Sequence, residues 1–253
     1  MLRQPGLNRR SLRVGRKLLL LLLFSVLAAA PAQGSFSVSP RASRGDFAAF
    51  HSRFSSDAYF YPRHSASPLG LIGFEVYADA TYDDEFDDQS FNGTAVDGSY
   101  TGGFLSVARV GARKGLPGGV DLGLAYGKTL NGDVKLISAE LQYAILHGGV
   151  LEPALSVRVT GTRTVDATAY ELNQFGADVL LSKGFTVLTP YIGAGLIRSR
   201  GRLDRGLLPS FEDTETHGVA FAGVTLNLLL PKINFEVEKG EALQAAVRVG
   251  FGF

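Results

Sequence analysis

The stretch that decides the fold is LQAAVRVGFGF, residues 243–253, in which apolar side chains alternate with polar or small ones. Successive side chains of a β-strand point to opposite faces, so a period of two indicates a strand with one apolar face. One face holds Leu243, Ala245, Val247, Val249, Phe251 and Phe253, and the other holds Gln244, Arg248, Gly250 and Gly252. The stretch therefore predicts a strand with two chemically distinct faces.

The same alternation recurs in nine segments upstream. The ten predicted strands span about residues 71–82, 102–113, 120–127, 136–145, 151–161, 174–182, 188–197, 219–230, 233–238 and 242–253. Short turns rich in Gly and Pro alternate with polar loops expected at 83–99, 129–133, 163–171, 198–216 and 239–241. Short turns at one end and longer loops at the other are typical of transmembrane barrels. The sequence thus predicts an all-β fold, a ten-stranded antiparallel transmembrane up-and-down β-barrel over residues 67–253 with a short N-terminal extension.

Alternation alone leaves open which face is buried, because a soluble barrel or sandwich would turn its apolar face inward. Two observations favour the membrane. The apolar faces carry no charge in mid-strand, where a lipid-facing Arg or Lys would cost about 2–4 kcal/mol. The polar faces mix glycines with opposite charges, which suits a narrow lumen filled by side chains. A salt-bridge network inside the lumen is therefore predicted from Glu75, Asp79, Arg109, Arg113, Glu140, Arg158, Asp178, Glu236 and Arg248.

Residues 1–32 have the pattern of a cleaved secretory signal peptide. Residues 1–17 carry six Lys or Arg and no acid, an apolar run follows, and small residues precede Gln33. Cleavage there would leave 19 basic residues against 24 acidic ones, which argues against a nucleic-acid partner. The chain has no cysteine, so a disulfide scaffold is excluded.

Residues 33–66 lack the alternation and are rich in Ser, Arg and aromatic residues. Asp46 is a candidate cap for a short helix, which would place Phe47, Phe50 and Phe54 on one face. The segment is predicted to be an N-terminal periplasmic extension, either a tail or a short helix packed on the domain.

With its N-terminal segment and its alternating strands, the chain resembles the small outer-membrane β-barrel proteins of Gram-negative bacteria. The most specific part of the resemblance is the last strand, which ends on Phe253. The resemblance implies a location in the bacterial outer membrane and contact with lipid and lipopolysaccharide. It also implies that the barrel-assembly machinery recognises the last strand through Phe251 and Phe253. The basic run at 198–205 is a candidate contact with anionic lipopolysaccharide, although an ordinary solvated loop is the favoured interpretation.

The loop at 83–88 is the candidate for cation binding, because Ca²⁺ takes oxygen ligands from flexible carboxylates. The sequence has no spaced ligand pattern of the EF-hand type, and an ordinary solvated acidic loop is the favoured interpretation. No metal or cofactor is therefore predicted, and the weak candidate ligands are Asp83, Asp84, Glu85, Asp87 and Asp88.

His217 is the histidine best placed for surface catalysis, with Asp213 and Glu215 beside it and Asp83 and Asp84 in another outer loop. This set faintly resembles the omptin-type outer-membrane proteases, although the aspartates are adjacent here rather than spaced. A lipid hydrolase with Ser, His and an acid is an equal alternative.

The favoured prediction is a non-catalytic outer-membrane protein with a role in envelope structure, surface interaction or limited solute passage. A hydrolase centred on His217 and a soluble periplasmic binding protein with a barrel or sandwich fold are the alternatives. The sequence leaves the oligomeric state open.

Overall fold

The computed structural model of the chain describes residues 37–82, 94–97, 107–130, 132, 134–149, 151–166, 169–228 and 231–252. The predicted signal peptide at 1–32, the acidic residues at 83–88 and Phe253 lie outside this described part. No helix within the described residues is long and apolar enough to cross a membrane.

Ten antiparallel strands form a closed barrel, which confirms the predicted fold class. Each strand pairs with its neighbours along the chain, and the last strand pairs with the first barrel strand to leave no open edge. The barrel strands are β2 (Phe74–Tyr82), β4 (Val107–Leu116), β5 (Val120–Thr129), β6 (Lys135–His147), β7 (Ala154–Val165), β8 (Tyr170–Ser182), β9 (Leu188–Arg205), β10 (Leu208–Asn227), β11 (Pro231–Lys239) and β12 (Leu243–Gly252). Two further short strands, β1 (Ser37–Val38) and β3 (Val96–Asp97), pair with each other outside the barrel sheet.

The prediction of a loop at 198–216 is wrong, because β9 and β10 continue through these residues as a paired hairpin. Its turn contains Gly206, whose φ of 65° suits glycine. The period of two persists here, with Ser199, Gly201 and Leu203 buried on the inward face. These strand segments were missed in the sequence because their outward residues are polar, so apolar and polar side chains do not alternate there. The predicted loop at 163–171 is shorter for the same reason, since β7 reaches Val165 and β8 begins at Tyr170.

The apolar faces point outward and the polar faces point inward. Leu124, Ile192 and Leu196 are 68%, 57% and 62% exposed, whereas Arg158 and Arg248 on inward faces are at most 1% exposed. A water-soluble protein of this kind would bury the first set and expose the second.

One helix, α1 (Arg44–Asp57), precedes the barrel. Ser43 rather than Asp46 is its cap, because the Ser43 hydroxyl accepts a hydrogen bond from the Asp46 amide. The predicted aromatic face is present: Phe47, Phe50 and Phe54 are buried.

This aromatic face packs against inward-facing residues of the barrel strands at their long-loop end, including Tyr170, Leu172 and Leu203. The helix therefore lies packed inside the mouth of the barrel at its long-loop end.

Candidate functional site

Residues 58–69, which we call the lumen segment, run from the end of α1 through the barrel to its short-turn end. Contacts with β8 show in which direction the lumen segment runs through the barrel. The Tyr59 hydroxyl donates to Asp178, and the Ala66 amide donates to the Ser182 hydroxyl four residues further along β8. At the end of the segment the Leu69 amide donates to the carboxylate of Asp121 at the start of β5.

The side chains of the lumen segment fill the interior of the barrel. Tyr59, Phe60, Tyr61 and Arg63 are all 0% exposed. Water does not reach these side chains, so the lumen is closed at their level.

Four charged residues form what we call the seam cluster: Arg63, Asp79, Glu238 and Arg248. The Arg63 guanidinium contacts Asp79 at 2.5 Å and Glu238 at 2.7 Å. Arg248 contacts the other carboxylate oxygen of Asp79 at 2.7 Å. Asp79 is on the first barrel strand, Arg248 on the last and Glu238 on β11, so this cluster joins the lumen segment to the seam where β12 closes against β2.

A second group, which we call the Arg158 cluster, lies on β4, β6, β7 and β8 and consists of Arg158, Glu140, Asp178 and Arg113. Arg158 contacts Glu140 at 2.8 Å and Asp178 at 2.6 Å, and Arg113 contacts the second oxygen of Glu140 at 2.8 Å. All four side chains are nearly inaccessible to water. Paired and hydrogen-bonded in this way, buried charges hold neighbouring strands in fixed register, and removal of one partner leaves the others uncompensated.

The structure places all nine sequence-predicted lumen residues on inward faces, at most 5% exposed: Glu75, Asp79, Arg109, Arg113, Glu140, Arg158, Asp178, Glu236 and Arg248. Seven of them make salt bridges. Arg109 instead donates to the carbonyl oxygens of Ala58 and Tyr59, and Glu236 accepts from the Arg63 amide. These two residues therefore hold the backbone of the lumen segment.

Sequence reasoning missed Arg63, which is the centre of the seam cluster. It lies in a segment without periodicity, so no pattern indicated that its side chain faces the lumen. Glu238 was recognisable, since it shares the inward face of β11 with Glu236.

Glycines on the inward faces make room for aromatic rings. A Cβ at Gly176 would lie 2.8 Å from the Tyr59 hydroxyl oxygen, and a Cβ at Gly223 would lie 2.5 Å from that of Tyr191. The polar faces are thus rich in glycine because an added side chain would collide with the rings that fill the barrel.

The weak catalytic candidates Asp213, Glu215 and His217 all face inward on β10, where α1 covers the mouth. His217 Nδ1 lies 4.0 Å from Glu215 Oε1. Glu215 also accepts a hydrogen bond of 2.5 Å from the Ser55 hydroxyl of α1. Asp83 and Asp84 lie outside the described residues and cannot be placed near this group.

The structure adds His51 to this group. Its Nε2 lies 3.3 Å from the Ser199 hydroxyl, and its Nδ1 lies 2.7 Å from the Tyr170 hydroxyl. Burial lowers the pKa of His51, because the mouth offers little water to an imidazolium. His51 lies on the buried face of the helix and Ser199 lies beneath it, and both are 0% exposed. The arrangement anchors α1 to β8, β9 and β10.

The described residues contain no group of three or more His, Cys, Asp or Glu side chains suited to a metal ion. The acidic loop at 83–88, which holds the candidate metal ligands of the sequence, is not among them. Phe251, half of the expected assembly signal, lies in β12 opposite Val76 and Pro231.

No protein-family model matches the chain, and no curated protein matches it as a relative. Among solved structures, it is similar to the N-terminal β-barrel domain of Pseudomonas aeruginosa OprF, with 16% identity, coverage of 73% of this chain and 99% of that one, and a TM-score of 0.35. It is similar to Neisserial surface protein A, with 14% identity, coverage of 71% and 95%, and a TM-score of 0.31. It is also similar to the Acinetobacter baumannii outer membrane protein Omp33, with 10% identity, coverage of 73% and 100%, and a TM-score of 0.31. These values are low, and the fold of this chain rests on its own strand pairing.

Proposed function

We propose that this chain is an integral outer-membrane β-barrel protein with a non-catalytic role, and that its own N-terminal segment closes its lumen. It would contribute to envelope structure and present its long-loop end at the cell surface. The observation that carries the proposal is the combination of an apolar outer wall with a lumen filled by residues 58–69. A soluble binding protein would need the opposite arrangement of faces.

The outer wall supports the membrane location. Charged residues on the outward faces of the described strands lie near strand ends or on the β9–β10 hairpin beyond the other long loops, such as Lys114 towards the short turns and Lys128 and Arg163 towards the long loops. Between them the wall is apolar on every barrel strand, as lipid contact requires. Exposed apolar surface of this extent would make a soluble protein aggregate.

The filled lumen argues against solute passage, and limited passage was one of the roles expected from the sequence. Barrels of about eight strands are filled by side chains, whereas those of sixteen or more hold open channels. Ten strands leave space for one extended segment, and the lumen segment takes it.

Two measurements test the proposal. The purified chain, folded in detergent, should run with heat-modifiable mobility on a gel, as an intact barrel does, and should partition with membranes. Planar-bilayer recordings should show no steady conductance for the wild type. A fully soluble chain with unshifted mobility would contradict the membrane location, and a steadily conducting wild type would contradict the closed lumen.

The direction of the lumen segment adds a prediction about topology. Residues 37–57 lie at the long-loop end, and in outer-membrane barrels the long loops face the outside of the cell. An epitope tag inserted directly before Ser37 should therefore be detected by antibody on intact cells. Detection only after the outer membrane is permeabilised would contradict this orientation and would mean that residues 37–57 are on the periplasmic side.

A further inference from the structure

A pocket of about 270 Å³ lies inside the barrel at its short-turn end. The lumen segment leaves this space because it is held against another part of the wall: Gln142 of β6 donates to the Ala66 carbonyl oxygen, and the Leu69 amide donates to Asp121 of β5. The pocket lies on the other side of the segment, against β9, β10, β11, β2 and β4. At about 30 Å³ for each water molecule, it has room for a ligand of roughly nine water-sized groups.

The lining of the pocket is polar, and its burial shows where it opens. Ten of its twelve lining residues have polar or charged side chains, so its occupant is a polar molecule. Thr189, Asn227 and Lys232, beside the short turns, are half-buried, whereas Thr225 and Asn234, further along β10 and β11, are at most 5% exposed. The pocket therefore opens towards the short turns and closes towards the middle of the barrel.

One wall of the pocket presents two donors that lack acceptors. The Thr225 hydroxyl donates to Asn234 Oδ1, which fixes the orientation of the amide. Asn234 is 1% exposed, and its Nδ2 has no acceptor among the residues that the structure describes. Lys232, two residues earlier on the same face of β11, has no carboxylate within 4.0 Å in that part of the chain. An amide and an ammonium group side by side can together bind one carboxylate.

Glu75 brings the opposite charge to the same pocket. A Cβ added at Gly250 of β12 would lie 2.6 Å from Glu75 Oε1, so the carboxylate occupies the space over this glycine. Gly250 is the register partner of Lys232, which places the carboxylate beside the strand that carries the ammonium group. Glu75 contacts Arg113 at 3.4 Å, whereas Arg113 lies closer to Glu140, at 2.8 Å. Glu75 therefore has capacity to accept a further charged donor.

We infer that this space, the short-turn pocket of Glu75, Lys232 and Asn234, binds a small zwitterion of the α-amino acid class. The carboxylate of the ligand accepts hydrogen bonds from Lys232 and Asn234, and its ammonium group donates to Glu75. Charge complementarity selects this class, because a simple anion would face Glu75 and a simple cation would face Lys232. A neutral sugar would leave both charges without a partner. The inference goes beyond the proposed structural role and depends on the interior of the barrel rather than on the membrane around it.

The test uses the full chain folded in neutral detergent micelles, with binding of radiolabelled L-glutamine measured by equilibrium dialysis. L-Glutamine is a small zwitterion whose side-chain amide suits the hydroxyl groups of the lining. Saturable binding is expected. Two analogues of the same length then compete with it: 4-carbamoylbutanoate lacks the ammonium group, and 4-aminobutanamide lacks the carboxylate. Each should compete about tenfold more weakly than unlabelled L-glutamine, because each loses one charge-assisted contact.

Two variants assign the two ends of the ligand. Lys232→Gln should weaken binding of L-glutamine about tenfold. Lys239→Gln is the matched control, because it removes the same charge from an exposed residue at the other end of β11 and should bind as the wild type does. Glu75→Gln should abolish the preference for L-glutamine over 4-carbamoylbutanoate, since the ammonium group then has no carboxylate to meet. A residue with a purely structural role would change both affinities together and leave their ratio as it is.

Heat-modifiable mobility is measured first on every sample, so that only folded barrels are compared. A folded wild type without saturable binding of L-glutamine would overturn the inference. Equal competition by L-glutamine and 4-carbamoylbutanoate would overturn it too, since the pocket would then take simple anions. Wild-type affinity of a folded Lys232→Gln variant would place the ligand elsewhere and would have the same consequence. None of these results bears on the membrane location, which fractionation tests separately.

Discussion

The outer wall and the lumen are built from alternate residues of the same ten strands, yet they are solvated in opposite ways. Leu124 and Ile192 of the wall are exposed, whereas Arg109 and Arg158 of the lumen are buried. In the proposed membrane, wall residues act singly, because each would contact lipid and its contribution would depend on its own polarity and depth. Lumen residues act in groups, because a buried charge is tolerated only with its partners.

The wall and the lumen should therefore differ in how strongly a substitution destabilises the fold. Exchange of one apolar wall residue for another changes little, because lipid adapts to its shape. Loss of one lumen charge leaves its partners buried without compensation. Substitutions that break this distinction should therefore affect stability in a defined order.

The largest effect is expected for Arg63→Ala. The substitution leaves Asp79 and Glu238 without one of their cations inside the barrel, which costs about 3–5 kcal/mol when a buried ion pair loses one partner. The measurement is the free energy of unfolding in urea, followed by heat-modifiable mobility in detergent micelles. Arg41→Ala, at an exposed position, is the control and should unfold as the wild type does.

Arg63→Lys separates charge from shape. It keeps the cation but loses the fork of donors that reaches both carboxylates, so an intermediate stability is expected. Wild-type stability of Arg63→Ala would show that the seam cluster contributes nothing to closure of the barrel.

The second-largest effect is expected when a charge is introduced on the apolar outer wall. Leu141→Arg places a cation at the middle of β6 on the outward face, and a lipid-facing charge at mid-depth costs about 2–4 kcal/mol. Leu207→Arg at the tip of the β9–β10 hairpin should cost nothing, since Leu207 is fully exposed there. Both variants are compared by unfolding in lipid vesicles. Equal stability of the two would contradict a membrane around the wall.

The apolar wall and the inward-facing charges of the strands could be predicted from the sequence. The lumen segment that fills the barrel could not. The ten strands follow from local alternation, a property that each segment carries by itself. The pairing of Arg63 with Glu238 joins residues 175 positions apart, and no local pattern encodes it. The β9–β10 extension was missed because its outward residues, such as Arg200 and Thr214, meet water and so give no apolar signal.

The third effect compares two glycines on opposite sides of the sheet. Gly176→Val points a side chain at Tyr59 and should destabilise the barrel by about 1–3 kcal/mol through overpacking. Gly161→Val points outward into open space and should be neutral or slightly stabilising, because valine suits a strand better than glycine. The unfolding midpoint in urea distinguishes them. Equal destabilisation by both would mean that strand flexibility, rather than the lumen segment, sets the need for glycine.

The smallest effect is expected for the ion pair of Arg200 and Glu212, which is exposed, whereas the ion pairs of the lumen are buried. The hydrogen bond and charge of Arg200 lower the pKa of Glu212, so the pair stabilises the folded chain above the ordinary carboxyl pKa and loses that effect as pH falls through the lowered value. Water and salt screen this pair, unlike Arg158 with Asp178 in the lumen. Arg200→Gln should therefore lower the free energy of unfolding at pH 7 only slightly. Carboxyl carbon NMR should show the pKa of Glu212 rising towards its ordinary value in the variant. A loss of stability as large as that of Arg63→Ala would mean that the hairpin above the membrane is as closely packed as the lumen, and the contrast between an exposed and a buried ion pair would fail.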